Sequence, residues 1–382
     1  MGYVAVQGGI EAIENAEQLT QYVRLKGKSV PLQVRQIQDQ LRLLVDRVMG
    51  EGGLYSPFHA ALAIKQAEGD PIEASFLIRA YRSTLRRLTD SEALNMEEMR
   101  VIRRISAAFK NIPGGQLLGP TYDYRQRLLD FSLLDEDQQT SNNWVNLHMQ
   151  ASSTNEELDD VSVHLPKVVD ILRQQGYVKA PEQHEHTPVV DLTQESITFP
   201  AHRSARLQAM TRGETGGLLA IAYSSMRGYG DIHPTVAELR VGYVPIRIPH
   251  PHREGETVAI GSALMTEAEL VAQFEAERDE QPALSLGYGV CFGHNETKVI
   301  SMAVLDKTMK VQEPNMPAED QEFVLSHIDG IESSGFCAHY KLPHYITFQS
   351  DLDRLRDSQS HKTKGGTSDD RAIAAAEESV PL

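Results

Sequence analysis

The first 110 residues show the hydrophobic spacing and the end signals of helices. From Val34 to Val48, apolar residues recur at intervals of three and four, and glycines from Gly50 onwards end the stripe. Asp70, Pro71 and Glu73 have the spacing of a helix cap, a first helical position and a capping-box partner. These signals predict a mainly helical N-terminal domain over residues 1–131.

The pattern changes in the second half of the chain. Apolar and polar residues alternate from Leu239 to Tyr243, and Ile246 and Ile248 flank Arg247, which predicts a half-buried strand that is interrupted at Pro245. The segment from Leu284 to Phe292 is also strand-like. Thr266 and Glu269 have capping-box spacing and predict a helix. Strands and helices alternate without a regular βαβ rhythm. The predicted fold class is therefore α+β, with a helical N-terminal domain followed by a mixed α+β domain over residues 199–357.

Composition and charge indicate how the rest of the chain is organised. The chain has 382 residues and a formal net charge of −16. Residues 76–127 are locally basic, whereas residues 132–198 are strongly acidic and predict a linker or surface insertion. Residues 358–382 have the composition of a disordered tail.

The net charge, the length of the apolar stretches and the number of cysteines argue against several partners, locations and cofactors. Net acidity argues against duplex nucleic acid as a partner. The longest apolar stretch, Leu218 to Tyr223, is too short to cross a membrane, and no basic start of a secretory signal is present, so a cytoplasmic location is expected. Two cysteines, Cys291 and Cys337, cannot hold an iron–sulfur cluster alone, and we expect both thiols to be buried.

A glycine-rich loop from Pro113 to Thr121 is the first candidate for chemistry. Gly114 and Gly115 allow backbone N–H groups to approach a phosphate, and Lys110 supplies a nearby positive charge. The alternative is a plain interdomain turn that follows a solvated basic helix.

A second candidate is the segment from Ala201 to Pro234. Its arginines include Arg203, Arg206 and Arg227, and guanidinium groups match phosphate oxygens well. Glu214 and Asp231 lie in the same segment, close to glycine pairs. The alternative is a glycine-hinged turn with surface arginines.

His339 and His344 form the third candidate. Pro343 lies between them and favours a turn, which brings the two imidazoles within reach of one metal ion. Two histidines leave positions for substrate, water or a ligand from another chain. The alternative is two unrelated polar histidines.

Taken in order, these motifs resemble the PhnI family, a subunit of the carbon–phosphorus lyase core complex. The resemblance is carried by YVAVQGG, DRVMGEGG, FLIRAYRSTL, IPGGQLLGPTYDY, LLDFSLL, MTRGETGG, IAYSSMRGYG, LGYGVCFG and EFVLSHIDGIESSGFCAHYKLPHY, from Tyr3 to about Leu355. Gln7 departs from the Lys expected of relatives, and the acidic stretch is hard to align.

The resemblance implies an activity in phosphonate catabolism. With partner subunits, such a protein transfers the ribose 5-triphosphate of ATP to an alkylphosphonate and releases adenine, as an α-D-ribose 1-methylphosphonate 5-triphosphate synthase. Alone, it acts as a nucleosidase on ATP or GTP. The implied partners are PhnG, PhnH, PhnJ, PhnL and PhnK, with two copies of this chain in a hetero-oligomer.

The resemblance also suggests roles for particular residues. His339 and His344 match the family's metal-binding pair, with zinc the expected divalent ion. Asp123, Glu214 and Asp231 are candidate catalytic carboxylates because departure of the base leaves an oxocarbenium-like sugar. Residues expected to bind substrate or phosphate are Lys110, Gly114, Gly115, Tyr122, Arg125, Arg203, Arg206 and Arg227. A scaffold that lends metal ligands to a shared site and a metal-dependent phosphoesterase are the alternative functions.

Overall fold

The computed structural model describes residues 8–153, 165–179, 189–227, 234–275, 281–311 and 313–365. The chain separates into two compact units, one formed by Leu32–Ile331 and the other by the segments on either side of it, Met1–Pro31 and Glu332–Leu382. The candidate residues up to Arg227 belong to the first unit, and the histidine pair belongs to the second. This division differs from the predicted boundaries at residues 131, 198 and 357.

Thirteen α-helices and one four-stranded antiparallel sheet make up the described residues, which is a mixed α+β architecture as predicted. The helices are α1 Gly9–Leu25, α2 Val34–Gln40, α3 Arg42–Gly52, α4 Pro57–Gln66, α5 Pro71–Thr84, α6 Gln138–Ser153, α7 Val168–Gln174, α8 Arg203–Arg212, α9 Thr215–Met226, α10 Glu296–Thr308, α11 Gln321–His327, α12 Gly330–His339 and α13 Tyr345–Gly365.

The sheet has the order β1-β2-β3-β4, and each strand is antiparallel to its neighbours. The strands are β1 Arg100–Ile105, β2 Thr235–Pro249, β3 Thr257–Glu275 and β4 Ala283–Phe292. The strand-like pattern from Leu284 to Phe292 is confirmed by β4. Because β1 comes from the segment predicted to be a helical domain, the two halves of the sequence share one sheet.

Two local predictions are wrong. Thr266 and Glu269 lie in β3 rather than at the start of a helix, because the alternating Glu267, Glu269 and Ala268, Leu270 pattern fits the two faces of a strand. Strand β2 continues through Pro245. Proline is tolerated there because β1 pairs only as far as Tyr243, so no neighbour needs the missing N–H on that side.

One face of the sheet packs against α10. Gly287 and Gly289 of β4 allow this helix to approach, since a Cβ at Gly287 would lie 2.0 Å from the carbonyl oxygen of Ala303. Val299, Met302 and Leu305 of α10 are buried in the resulting core. The close packing fixes the position of the first turn of α10, which carries residues of the candidate site.

The opposite face of the sheet carries buried charges. Arg104 is fully buried, pairs with Glu238, and donates to the carbonyl oxygens of Pro113 at 2.6 Å and Pro166 at 2.8 Å. Its neighbours on this face are Arg240, Glu267, Glu269 and Lys167, of which Lys167 Nζ lies 2.7 Å from Glu267 Oε1. Burial raises the pKa of Glu269 to about 7. These charges neutralise one another beneath the sheet.

The acidic stretch and the tail contain more regular structure than the sequence indicates. Val168, Val169 and Leu172 of α7 are buried against residues of the sheet, although they lie in the predicted linker or insertion. Helix α13 continues to Gly365, through the first part of the predicted disordered tail. The described residues contain no helix long and apolar enough to span a membrane.

Replacing Arg104 by Ala leaves the buried Glu238 carboxylate without its counter-charge. We expect R104A to lose about 3–5 kcal/mol of unfolding free energy in urea titrations. The double variant R104M/E238L, which removes both charges, should lose much less. R35A, whose side chain is 89% exposed, is the control and should change stability by no more than about 0.5 kcal/mol. An R104A midpoint equal to that of the parent would contradict this assignment.

The two cysteines should differ in reactivity. Cys291 is buried in β4, and burial raises its pKa to about 11, whereas Cys337 in α12 is exposed, contrary to the prediction that both are buried. We expect Ellman's reagent to modify one thiol in the native chain and both thiols in guanidinium chloride. The variant C337S should show no rapid native reaction. A rapid reaction in C337S would show that Cys291 is accessible.

Candidate functional site

A cleft of about 310 Å³ lies in the unit formed by Leu32–Ile331, between the start of α3, the loop after β1 and the start of α10. The side chains around it are predominantly polar and charged. The charged residues lining it are Arg42, Arg47, Asp123, Arg127, Glu296 and Lys298, and the cleft is completed by Pro120, Thr121, Tyr122, Thr215, His294, Asn295, Thr297 and Leu43.

The N-termini of α3 and α10 open into this cleft. Arg42 and Leu43 are the first residues of α3, and Glu296 and Thr297 are the first residues of α10. Neither N-cap residue, Leu41 of α3 nor Asn295 of α10, makes a side-chain cap hydrogen bond, and the side chain of Asn295 donates instead to the carbonyl oxygens of Phe292 and Asp46. Uncapped N–H groups and the positive ends of the helix dipoles favour an anion in the cleft.

Arg103 forms the base of the site. Its side chain is fully buried. Its Nε lies 2.7 Å from Glu296 Oε1, and its guanidinium also pairs with Asp123. Its Nη1 donates to the carbonyl oxygen of Leu118 at 2.5 Å. The basic residues before the glycine-rich loop therefore belong to a strand, and Arg103 and Arg104 are buried rather than solvated. Arg103 holds two carboxylates and the loop in one place.

His294 links Arg42 to Glu296. Arg42 Nη1 lies 3.2 Å from His294 Nδ1, and His294 Nε2 lies 2.5 Å from Glu296 Oε1. Because a guanidinium can only donate, Nδ1 is the acceptor, and Nε2 carries the hydrogen that is donated to the carboxylate. A hydrogen-bonded chain therefore connects Arg42, His294, Glu296, Arg103 and Asp123.

The Glu296 carboxylate is ionised at neutral pH. Burial raises its pKa, but hydrogen bonds from His294 and Arg103 outweigh burial and bring the pKa below the ordinary value of 4.5. Such a carboxylate can stabilise a nearby positive charge or accept a proton. With uncapped helix N-termini beside it, the cleft can hold an anionic ligand and stabilise a cationic centre.

Local packing explains why His294 is held in place. Gly293 has a φ of 74°, and a Cβ there would lie 2.5 Å from Asp46 Cβ, so α3 crosses the turn between β4 and α10 at very close range. Asp46 Oδ2 accepts from the His294 backbone N–H at 3.0 Å. The turn is thereby fixed to α3, which carries Arg42.

The structure places two of the predicted site residues, Tyr122 and Asp123, in the cleft. Arg125 is close to them, with its guanidinium 5.2 Å from the centre of the Tyr122 ring. Arg127, which the loop also supplies, lines the cleft as well. The end of the glycine-rich segment thus contributes directly to the candidate site.

The glycine-rich loop itself surrounds a cation rather than presenting its amides to the cleft. The carbonyl oxygen of Pro113 accepts from Arg104, and a Cβ at Gly114 would lie 2.3 Å from Leu165 Cδ2. Gly114 and Gly115 both have positive φ values, 78° and 77°. Lys110 is exposed and, like these two glycines, does not line the cleft.

Glu214 caps a helix. Its carboxylate accepts from the N–H groups of Gly216 at 2.8 Å and Gly217 at 2.6 Å, and it pairs with Arg47. The glycine pair therefore contacts an anion, as the sequence suggests, but this anion is a side chain of the same protein. Glu214 does not line the cleft, although its partner Arg47 does.

The predicted arginines of the second segment lie elsewhere. The Arg203 guanidinium is 5.4 Å from the centre of the Tyr288 ring, and Arg206 donates to the carbonyl oxygen of Ala201 at 2.8 Å. Arg227 is the exposed C-cap of α9. None of the three lines the described cleft, and Asp231 lies outside the described residues.

Sequence reasoning missed Arg42, His294 and Glu296. The signal for His294 and Glu296 is the segment GHNETK, which follows β4 directly and opens α10. A strand, a glycine and a helix start with polar residues are typical of an anion-binding turn. Arg42 has no such signal, because its role depends on packing between segments about 250 residues apart.

The histidine pair belongs to the other unit, and its two rings lie close together. The His339 and His344 rings lie 5.5 Å apart, centre to centre, with planes inclined by 61°. His344 Nδ1 lies 2.6 Å from the carbonyl oxygen of Leu342, and His339 Nδ1 contacts that of Phe336. Since carbonyls only accept, each Nδ1 carries a hydrogen, and each Nε2 keeps a lone pair for a metal.

This pair fits a zinc ion but does not complete its shell. Zinc takes imidazole nitrogen readily and usually has four ligands. Among the residues that the structure describes, no group of three or more His, Cys, Asp or Glu side chains could hold a metal. A zinc ion held by this pair would need further ligands from substrate, solvent, another chain or undescribed residues.

Replacing Glu296 by Gln tests the ionised carboxylate in the cleft. A group with a lowered folded-state pKa stabilises the protein above its unfolded pKa, and this stabilisation is lost as the pH falls through the folded-state value. We expect E296Q to be about 1.5–3 kcal/mol less stable than the parent at pH 7 in urea titrations. The difference should shrink as the pH falls below about 4.5.

The matched control is E313Q, which changes an exposed glutamate. It should not alter stability by more than about 0.5 kcal/mol at either pH. A difference between E296Q and the parent that stays constant from pH 7 to pH 3 would contradict the lowered pKa of Glu296.

Comparison with known proteins identifies the family. Residues 2–362 match the family model described as "Bacterial phosphonate metabolism protein (PhnI)". The chain is 52% identical to the putative C-P lyase subunit protein HtxH of Stutzerimonas stutzeri, over 95% of this chain and 97% of that protein.

Two further relatives carry the name alpha-D-ribose 1-methylphosphonate 5-triphosphate synthase subunit PhnI. The protein from Escherichia coli K12 is 45% identical over 95% of this chain and all of its own length. The protein from Rhizobium meliloti is 43% identical over 93% of this chain and 94% of its own length. The chain therefore belongs to the PhnI family of bacterial phosphonate metabolism proteins.

Proposed function

We propose that this chain is the ribosyl-transfer subunit of a synthase in the carbon–phosphorus lyase pathway. With partner subunits it would transfer the ribose 5-triphosphate of ATP to an alkylphosphonate and release adenine. With water as the nucleophile it would release the base from ATP or GTP. The names of the relatives support the class of product, a ribose with methylphosphonate at C1 and triphosphate at C5.

The observation that carries the proposal is the cleft, with two uncapped helix N-termini and the ionised Glu296 in one concavity. A nucleoside triphosphate needs both a site for several negative charges and a group that tolerates a cationic sugar. In this assignment, Arg42, Arg127 and the helix N-termini bind the polyphosphate. Glu296 and Asp123 face the ribose.

The proposed reaction breaks one bond at C1′ and forms another. The C1′–N bond to the base breaks with its electron pair on nitrogen, and a phosphonate or water oxygen forms the new C1′–O bond. The departing base takes up a proton, which solvent supplies when a phosphonate anion is the nucleophile and which is balanced by the proton that water loses when water is the nucleophile. Glu296, being ionised, stabilises the developing positive charge on the sugar rather than donating this proton.

The histidine pair would bind a divalent ion, for which zinc is the best match to two imidazole ligands. When bound, such an ion supplies charge neutralisation for a phosphonate or phosphate oxygen. PhnG, PhnH, PhnJ, PhnL and PhnK are the proposed partners in a hetero-oligomer with two copies of this chain, and the unfilled coordination positions leave room for a partner's ligand.

Incubation of the purified chain with ATP should release adenine, measured by chromatography of nucleobases. We expect R127A to raise the KM for ATP about tenfold or more, because a charge-assisted contact to phosphate is worth about 1.5–3 kcal/mol. R253A, with a side chain that is 66% exposed and outside the cleft, is the matched control. Addition of methylphosphonate and the partner subunits should replace ribose triphosphate by its methylphosphonate adduct, and H339A or H344A should abolish only this adduct.

The products separate the alternatives. Adenine and inorganic phosphate that both stay at the level without enzyme, with or without partners, would leave only a scaffold role. Release of inorganic phosphate with no free base would identify a phosphoesterase. Equal loss of activity in R127A and R253A would place the nucleotide outside the cleft.

A further inference from the structure

The segment after the cleft is folded but uncovered. Residues 128–150, which we call the acidic arm, contain a 3₁₀ turn at Phe131–Asp135 and most of α6. From Tyr122 to Gln150 every residue is exposed except Ser141, which is half-buried. The large apolar side chains of the arm are 52–83% exposed, and they are Leu128, Leu129, Phe131, Leu133, Leu134, Trp144, Val145, Leu147 and Met149.

Exposure on this scale has an energetic consequence. Burying one large apolar side chain contributes about 1.5–3 kcal/mol, and folded monomers rarely expose an apolar patch larger than a few hundred Å². On α6 the side chains of Trp144 and His148 stack with ring centres 5.4 Å apart, and Val145 and Met149 share the same spacing of four. The helix therefore presents an apolar stripe to solvent, as a helix does before it enters a groove.

The charge of the arm indicates what covers it. From Leu128 to Gln150 the sequence contains no Lys or Arg and four Asp or Glu residues, which are Asp130, Asp135, Glu136 and Asp137. A second copy of the chain that brought the same acidic arm would meet like charges, so pairing of arm with arm is opposed by repulsion. A surface that is complementary to the arm is apolar at its centre and basic at its rim.

We propose that the acidic arm is the docking surface for a different protein, whose apolar groove is bordered by Lys and Arg. The arm begins directly after Arg127, which lines the cleft, and Asp123 of the same loop pairs with Arg103. The partner consequently lies beside the wall of the cleft. Phe131, Leu134 and Trp144 are the anchors that its groove receives.

A binding titration tests this surface without any measurement of activity. The inference rests on the proposed function only for the choice of probes, which are the purified partner subunits named above. Trp144 is the single tryptophan of the chain, so 5-hydroxytryptophan incorporated there reports selectively on the arm. Binding should shift its emission to shorter wavelength and reduce quenching by acrylamide.

Alanine variants of the anchors, measured by titration calorimetry, locate the contact. We expect L134A and W144A each to weaken binding about 30-fold or more, as buried anchor residues do. The matched controls are L88A and I260A, which remove apolar side chains that are 86% and 61% exposed on other parts of the chain. They should change the affinity less than about threefold.

The charge of the partner is tested by D135N/E136Q. This variant should weaken binding at low salt and reduce the dependence of the affinity on salt concentration, while the parent loses affinity as salt is added. Circular dichroism of each variant should match the parent, which distinguishes a lost contact from a lost helix.

Three results would overturn the proposal: no subunit binding to the parent, equal binding of W144A, L134A and the controls, or a concentration-dependent dimer of the chain alone that W144A abolishes. Failure of the proposed function is separate. An inactive chain that still binds a subunit through the arm would refute the proposed chemistry and leave the docking surface in place.

Discussion

Two consecutive buried arginines hold this structure together. Neighbouring residues in a strand point to opposite faces, so Arg103 and Arg104 of β1 serve different sides of the sheet. Arg104 pairs with Glu238 and gathers the carbonyls of the glycine-rich loop, while Arg103 holds Asp123 and Glu296 at the cleft. Charges buried to this degree are tolerated only with such partners. Loop, sheet and cleft therefore depend on one dipeptide.

Local signals were predictable from the sequence, and pairing between distant segments was not. The cap of α5 is confirmed, since Asp70 accepts from the N–H groups of Ile72 and Glu73. The assignment of β1 to a helical region failed because arginines on both faces remove the apolar alternation by which a strand is recognised. The prediction of a helix at Thr266 and Glu269 failed for a related reason, because the polar residue types of a capping box also occur on one face of a strand.

Some residues of the candidate site could likewise be predicted from local sequence, and others could not. Tyr122 and Asp123 could be found because the loop that carries them has an unusual composition. Arg42 and His294 could not, since their contact depends on α3 packing against Gly293 in the folded chain. The residue types around Glu214 correctly predict an anion beside the glycine pair. They do not show whether this anion is a bound ligand or, as in the structure, the carboxylate of Glu214 itself.

The long sequence separation between β1 and β2 has a consequence for folding during synthesis on the ribosome. Arg104 is separated from Glu238 by 134 residues, so β1 leaves the exit tunnel long before β2 exists. During that interval its guanidinium groups remain hydrated, and the central sheet cannot nucleate from the N-terminal end. Formation of the central sheet therefore waits until β2 has been synthesised, and a truncated chain that ends before β2 lacks the strand that pairs with β1.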